Sequence, residues 1–541
     1  MVPINRAERV NEMAKKSMVV APQSEAADIA IEVLADGGNA FDAAIAGALA
    51  QGVVDPHRSG IGGFGAATLI DGKTGNIESI TYFGRAGKQC TPTMWADINE
   101  GAAPDGFGYT LKGKVNDVGY QSITTPGMVA GIGDIHKKYG KMPWKRLFEG
   151  PASLARNGFM VGPQMAAFWR RPGLFGRVST KDRLGFTEPG AAIWLTDGEP
   201  PQAGDVVRLP ELADTYERIA SAGAADFYTG ELAEEMIRDY EAHDALITRA
   251  DFAEYRCLWD PPLRGKFKDR EILSTPLPGG GVALLQTLRL AEMNGLLDMP
   301  LNGPDYVHLL ARILSAVQAD RTGYHSDPAF GAPDVSKLLS SGWLGEMVNR
   351  PSDESSLDPK DTTEITVVDR DGNAVVLCHS LGYGSGVFTP GLGFMYNNCM
   401  SGFEPEPGNP NSIAAGKARS TAIAQTVVLK DGRPELILGA PGGSHITAGL
   451  AQAIINATHF GCDLQDAVCR PRFDAYRNTL LLESRMPFRL AEQLRDRWEI
   501  KRSPSPFGMV GRVYAVKFET DGDLKPGYDP GEPASVQELR Y

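Results

Sequence analysis

Thr362 divides this chain into two kinds of sequence. Ahead of it, residues 126–316 are mainly helix-forming, with apolar residues at helical spacing over 127–139, 144–157, 210–222 and 281–293. Directly after it come two hairpin patterns. The apolar runs 365–368 and 374–378 are joined by Asp369-Arg370-Asp371-Gly372-Asn373, and 426–429 and 435–438 repeat the arrangement across Lys430-Asp431-Gly432-Arg433. Asp-Gly supplies the left-handed backbone that a tight hairpin needs. An apolar helix at 448–459 follows. Nearer the N-terminus, 24–35 reads as a helix with Ser24 as its cap and Gly37-Gly38 as its stop. Residues 40–50 are apolar on every side, so that helix must be buried. Two further β runs, 66–70 and 77–82, flank the turn 71–76. Helices, then hairpins, then a helix predict an α/β (α+β) chain with antiparallel sheets packed between helical layers.

Length alone suggests three or four domains' worth of material, since 541 residues exceed what one core usually organises. The formal charge of −13 makes nucleic acid or an anionic membrane surface an unfavourable partner, because phosphate binding needs a basic face. An anionic substrate would need locally placed arginines. Six cysteines without a CxxC pair read as reduced, mostly buried thiols. The first twenty residues carry charges throughout, and no stretch approaches the roughly 20 apolar residues of a membrane span. A cytoplasmic chain is the expectation.

The stretch Ser59-Gly60-Ile61-Gly62-Gly63-Phe64-Gly65 has a helix before it and a strand after it. That is the reverse of a dinucleotide loop, so close backbone packing beside a site is the expected role. No HExxH, Walker A or GxSxG motif occurs, and the eight histidines show no metal-ligand spacing. No metal or other cofactor is expected.

Residues 351–361 are polar and charged with two prolines, which predicts an exposed, mobile loop leading into Asp361-Thr362-Thr363-Glu364. Downstream, at loop or strand ends, lie Ser380, Asn397-Asn398, Arg419-Ser420-Thr421 and Pro441-Gly442-Gly443-Ser444. Earlier segments are as distinctive: 35–44, the glycine stretch from Ser59, 247–255 and Asp320-Arg321-Thr322-Gly323-Tyr324. In this order, nearly end to end, they resemble the γ-glutamyltransferase family of N-terminal-nucleophile hydrolases.

The resemblance implies a four-layer αββα sandwich, one large unit in place of several domains. It also implies a precursor that cuts itself between Asp361 and Thr362. The products would be a large fragment, 1–361, and a small one, 362–541, that stay paired. Thr362 would then carry a new α-amine with an unperturbed pKa of about 7.7–8.0 beside its hydroxyl, so one residue supplies both base and nucleophile. Ser380 matches a hydroxyl that hydrogen-bonds the nucleophile. Gly442 and Gly443 match the oxyanion-hole pair, and Asn398 belongs to a supporting Asn-Asn pair. The expected course is an acyl-enzyme at Thr362, attacked by water or an amine.

Several positions depart from the family. Glu364 stands where His is usual, and Gly382 where Asn is usual, in a shortened loop. Cys399-Met400-Ser401-Gly402 replaces the acidic residues that hold a substrate α-amino group. Arg85 and Thr421 match carboxylate-binding positions, although Ala422 replaces the second hydroxyl; Arg58 and Arg419 are further candidates. These departures predict an amidohydrolase or acylase for a small carboxylate-bearing amide, as in the family's oxamate amidohydrolase or cephalosporin-acylase-like members. An orthodox γ-glutamyltransferase and a non-catalytic binding protein on the same scaffold are the alternatives.

Overall fold

The computed structural model describes residues 16–103, 108–173, 176–331, 333–347, 362–508 and 510–541. The predicted 351–361 loop, Asp361 included, lies outside them.

Two antiparallel sheets form the centre. The first runs in the order Ser535–Arg540, Lys16–Ala21, Thr363–Val368, Ala374–Ser380, Phe64–Ile70, Ile77–Tyr82, Leu258–Asp260. The second runs Leu524–Tyr528, Tyr514–Phe518, Arg433–Gly439, Thr426–Lys430, Arg270–Ser274, Leu263–Phe267. Both predicted hairpins are present, one in each sheet.

Side-chain alternation sets the layers. In the 363–368 strand, Ile365 and Val367 join the core beneath helices α1 (Ser24–Ala35) and α2 (Ala40–Val54). Val368 of the same strand packs with Val376, Val427, Ile437 and Val516 between the two sheets. The outer face of the second sheet, with Ile272, Val428 and Leu436, is covered by Leu284 and Leu288 of Gly281–Met293 and by Leu450 and Ile454 of Ile446–Thr458. Each fully buried Leu, Ile or Val contributes about 1.5–3 kcal/mol. The result is the expected αββα sandwich.

α2 is buried along its whole length, as its composition demands, and Asn39 caps it in a reciprocal box with Asp42. At α1 the expectation needs correction. Gln23 occupies the N-cap without a side-chain cap, and the Ser24 hydroxyl turns to Glu25. The 210–222 and 281–293 helices fall where read. Five strands inside the helical region, three of them in the central sheets, and Lys16–Ala21, were not anticipated. All six cysteines are free thiols; Cys90, Cys378 and Cys399 are buried and the others partly so. Among the described residues no helix is long and apolar enough to cross a membrane.

Residues on both sides of position 362 build both sheets. The Thr363–Val368 strand pairs with Lys16–Ala21 on one edge and with Ala374–Ser380 on the other.

Candidate active site

Thr362 stands at the mouth of the central strand pair, buried to 5% exposure. Thr363 pairs with His379, which sets Thr362 opposite Ser380, and Ser380 in turn pairs with Phe64. Thr362, Ser380 and Phe64 therefore form one row across three strands, on the face toward the second sheet. The glycine stretch makes this row possible. A Cβ on Gly63 would stand 2.5 Å from the Ser380 carbonyl oxygen, which confirms close backbone packing at the site.

The second sheet delivers the Gly442-Gly443 turn. After the strand ends at Gly439, the chain turns through Gly442 (φ 137°) and Gly443 (φ 57°), then enters the Ile446–Thr458 helix through one 3-10 turn. The Gly442 N–H donates to Thr362 Oγ1 at 3.3 Å. The partial positive charge at the helix N-terminus lies on the same side. Three contacts fix the turn from behind. Arg512 N–H donates to the Pro441 carbonyl, Gln318 Nε2 donates to the Ser444 carbonyl at 3.0 Å, and His445 Nδ1 lies 2.8 Å from Asp474 Oδ2.

Neighbours of Thr362 are held as firmly. Gln51 Nε2 donates to Thr363 Oγ1 and to the Glu364 carbonyl, while its oxygen meets His379 Nε2 at 3.0 Å. Gln23 Nε2 also reaches Thr363 Oγ1 at 3.1 Å. Burial pushes His379 down to about 3, so its imidazole is neutral. Gln23, Gln51 and His379 escaped the sequence reading. Glutamine has no motif of its own, and Gln23 and Gln51 lie 340 and 312 residues from Thr363.

Ser380 Oγ accepts the Gly382 N–H at 2.9 Å, closing the strand end. Asn398 is fully buried; its oxygen accepts the Tyr383 N–H and its amide donates to the Asp117 carbonyl. Burial raises Asp117, but Arg183 and Arg177 beside it outweigh that and hold its carboxyl below the ordinary value. Asn397 ties the Gly62 and Thr124 carbonyls together. The Asn-Asn pair thus fastens the loops around the row.

The candidate arginines differ in placement. Arg58 is engaged by Glu532 at 2.6 Å and Asp55 at 3.5 Å. Burial would raise Glu532, but Arg512 and Arg58 bring it below its ordinary value. Arg85 Nη1 lies 3.4 Å from Asp327 and donates to the Gly416 carbonyl, with the side chain 23% exposed. Thr421 turns its hydroxyl to the Ile423 N–H and its own N–H to the Pro278 carbonyl. Arg419 is buried over the ring of Phe64, one member of the row.

Glu364 is fully buried on the same strand face as Thr362, and neither carboxyl oxygen has a hydrogen-bond partner. Burial raises its pKa well above the ordinary value. The unfolded chain releases this proton near pH 4.5, whereas the folded one keeps it. Stability therefore falls as pH rises from there through the folded pKa. Glu364→Gln removes that dependence. Its stability relative to the parent should grow by up to about 1.4 kcal/mol per pH unit above pH 4.5. Denaturant melts of both proteins between pH 4 and 8 check this; a constant difference would refute it.

The sequence matches the family Gamma-glutamyltranspeptidase over residues 26–538. It is 32% identical to a glutathione hydrolase proenzyme of Pseudomonas aeruginosa, across 84% of this chain and 82% of that protein. It is 31% identical to an Acylase ACY 1 proenzyme of Pseudomonas sp. strain SE83, across 94% and 91%. The structure resembles a cephalosporin acylase from Bacillus halodurans with a TM-score of 0.85, at 25% identity, over 97% of this chain and 96% of that one. The architecture, the threonine row, the glycine turn and these similarities agree, and the chain belongs to the gamma-glutamyltranspeptidase family of enzymes.

Proposed function

We propose that this protein is a self-processing amide hydrolase that cleaves a small carboxylate-bearing amide through an acyl-enzyme at Thr362. The observation that carries this reading is the Gly442 N–H aimed at Thr362 Oγ1 from 3.3 Å. A carbonyl attacked by that oxygen develops its negative charge beside the same turn, where the Gly442 and Gly443 N–H groups and the helix N-terminus stabilise it.

Processing begins with cleavage of the peptide bond between Asp361 and Thr362, which exposes the Thr362 α-amine. The amine accepts the Oγ proton as Oγ attacks the substrate carbonyl, and then passes it to the departing nitrogen. Water repeats the sequence on the ester and releases the acid. Ser380, opposite Thr362, steadies the hydroxyl, and β-branching limits its rotamers. Asn398 holds the substrate-side loop, while Arg85 and Thr421 contribute to the anionic end of the site. Fragments 1–361 and 362–541 remain one body.

The position of the acidic residues expected for an α-amino group favours this reading over an orthodox glutathione hydrolase. Cys399 and Gly402 stand there, and neither offers a carboxylate. A cationic amine left without that partner loses about 1.5–3 kcal/mol of binding. Intact mass of the purified protein, followed by assays with γ-glutamyl-p-nitroanilide and carboxylate-bearing amides, tests both steps. Two fragments and preferential turnover of the latter are expected. Robust γ-glutamyl turnover blocked by a glutamine analogue would favour the orthodox enzyme, and an uncut, inactive chain would leave a binding protein.

A further inference from the structure

Glu532 reaches both sides of the threonine row from one buried point. Its Oε1 accepts from Arg58 Nη1 at 2.6 Å and from Arg512 Nη1, and its side chain is 8% exposed. Each guanidinium belongs to a residue whose backbone holds one side of the row. The Arg58 carbonyl accepts the Leu381 N–H at 2.8 Å, directly after Ser380. The Arg512 N–H donates to the Pro441 carbonyl at 3.0 Å, directly before Gly442. The chain at Gly511 presses on the same turn, since a Cβ there would stand 2.6 Å from the His445 carbonyl oxygen. Glu532 is itself presented by a fixed turn, in which Asp529 Oδ1 accepts the Gly531 N–H at 2.7 Å. Just beyond, Ser535–Arg540 is paired along its length with Lys16–Ala21.

We infer that Glu532 is a positioning residue that sets the gap between Ser380 and the Gly442 N–H, and with it the placement of Thr362 Oγ1 between them. This rests on the acyl-enzyme reading above, whatever the acyl group. Two like charges meet at a single oxygen because a carboxylate stands between them. With that charge removed they repel across a buried gap, where screening is weak. Each then draws its own backbone partner away from the row. A displacement of about 1 Å at a reacting group costs on the order of 10²-fold in rate.

Glu532→Gln keeps the shape and removes the charge. Fully cleaved protein is assayed with γ-glutamyl- and glutaryl-p-nitroanilide. The variant should lose about 10–100-fold in kcat with KM within about threefold of wild type. Glu532→Asp, which keeps the charge, should recover part of that loss. Combined with Gly442→Ala the loss should be far from additive, because both changes displace the same N–H. A carboxylate that only stabilised the fold would lower the melting temperature and leave kcat of the folded protein alone.

Hydrogen exchange reads the two arms without turnover. Glu532→Gln should speed exchange in both 381–386 and 441–446, Arg512→Met in 441–446 alone, and Arg58→Met in 381–386 alone. The two arginine variants carry the test if Glu532→Gln does not fold. This exchange pattern in a protein that stays uncut and hydrolyses neither anilide would uphold the positioning role and overturn the hydrolase reading. Turnover of either anilide with kcat unaltered by Glu532→Gln, or with exchange speeded evenly along the chain, would overturn the positioning role and leave the hydrolase standing.

Discussion

Thr362→Ala should leave a single 58.1 kDa chain and reduce amide hydrolysis by about 10⁴-fold or more. The magnitude follows from what one side chain supplies. In the proposed mechanism its oxygen is the attacking atom both in the break before residue 362 and in acyl-enzyme formation, and no neighbour can substitute. Ser380 is opposite, but its hydroxyl accepts the Gly382 N–H and is followed by intact chain, so it has no terminal amine to take its proton. Thr363 turns to the helical side, where Gln51 and Gln23 hold its hydroxyl. Thr362→Ser should retain cleavage and turnover, because the oxygen and the adjacent amine both remain. Electrophoresis with intact mass reads the first effect and a colorimetric anilide assay the second. Activity in a homogeneous uncut Ala variant would refute the mechanism.

The second large effect is expected at Gly442. Its φ of 137° lies where side-chain-bearing residues are strained, and an added Cβ would stand 3.0 Å from Gly511 Cα. Gly442→Ala must therefore rotate the peptide whose N–H points at Thr362. Losing one such donor typically costs about 2.7–4 kcal/mol, or 10²–10³-fold in kcat. The loss should fall on kcat with KM little changed, because the charge it stabilises exists only in the transition state. In the proposed mechanism the same donor serves the self-cleavage, so kinetics belong on material whose cleavage mass spectrometry shows to be complete. A variant with unaltered kcat would place the oxyanion elsewhere.

What could be read from the chain depended on how local each determinant is. The hairpins around Asp369–Asn373 and Lys430–Arg433 were legible because turn chemistry and alternation sit within a dozen residues. α2 was legible because an all-apolar helix has one place to go. Leu263–Phe267 was hidden: it is a five-residue edge strand carrying Arg, Gly and Lys, with only Leu263 and Phe267 large and apolar. The short Lys16–Ala21 strand is defined by partners at 363–368 and 535–540, not by its own pattern. The threonine, serine and glycine turn of the candidate site were named through ordered resemblance. Their supports, Gln23, Gln51, Asp117 and Gln318, were not, since a hydrogen bond across hundreds of residues leaves no spacing to detect. Arg419 was named as a further candidate for a carboxylate, but its burial over the Phe64 ring is a tertiary contact that its own segment does not announce.

The strand order has a consequence for how such a molecule can be made. The strand beginning at Thr363 is clasped between one strand contributed from before the break and another from after it. Two separately synthesised halves would have to interleave their strands within one open sheet to meet. Pieces cut at Thr362 would therefore stay with the molecule they came from, and coexpressed halves are expected to assemble poorly where the continuous chain succeeds.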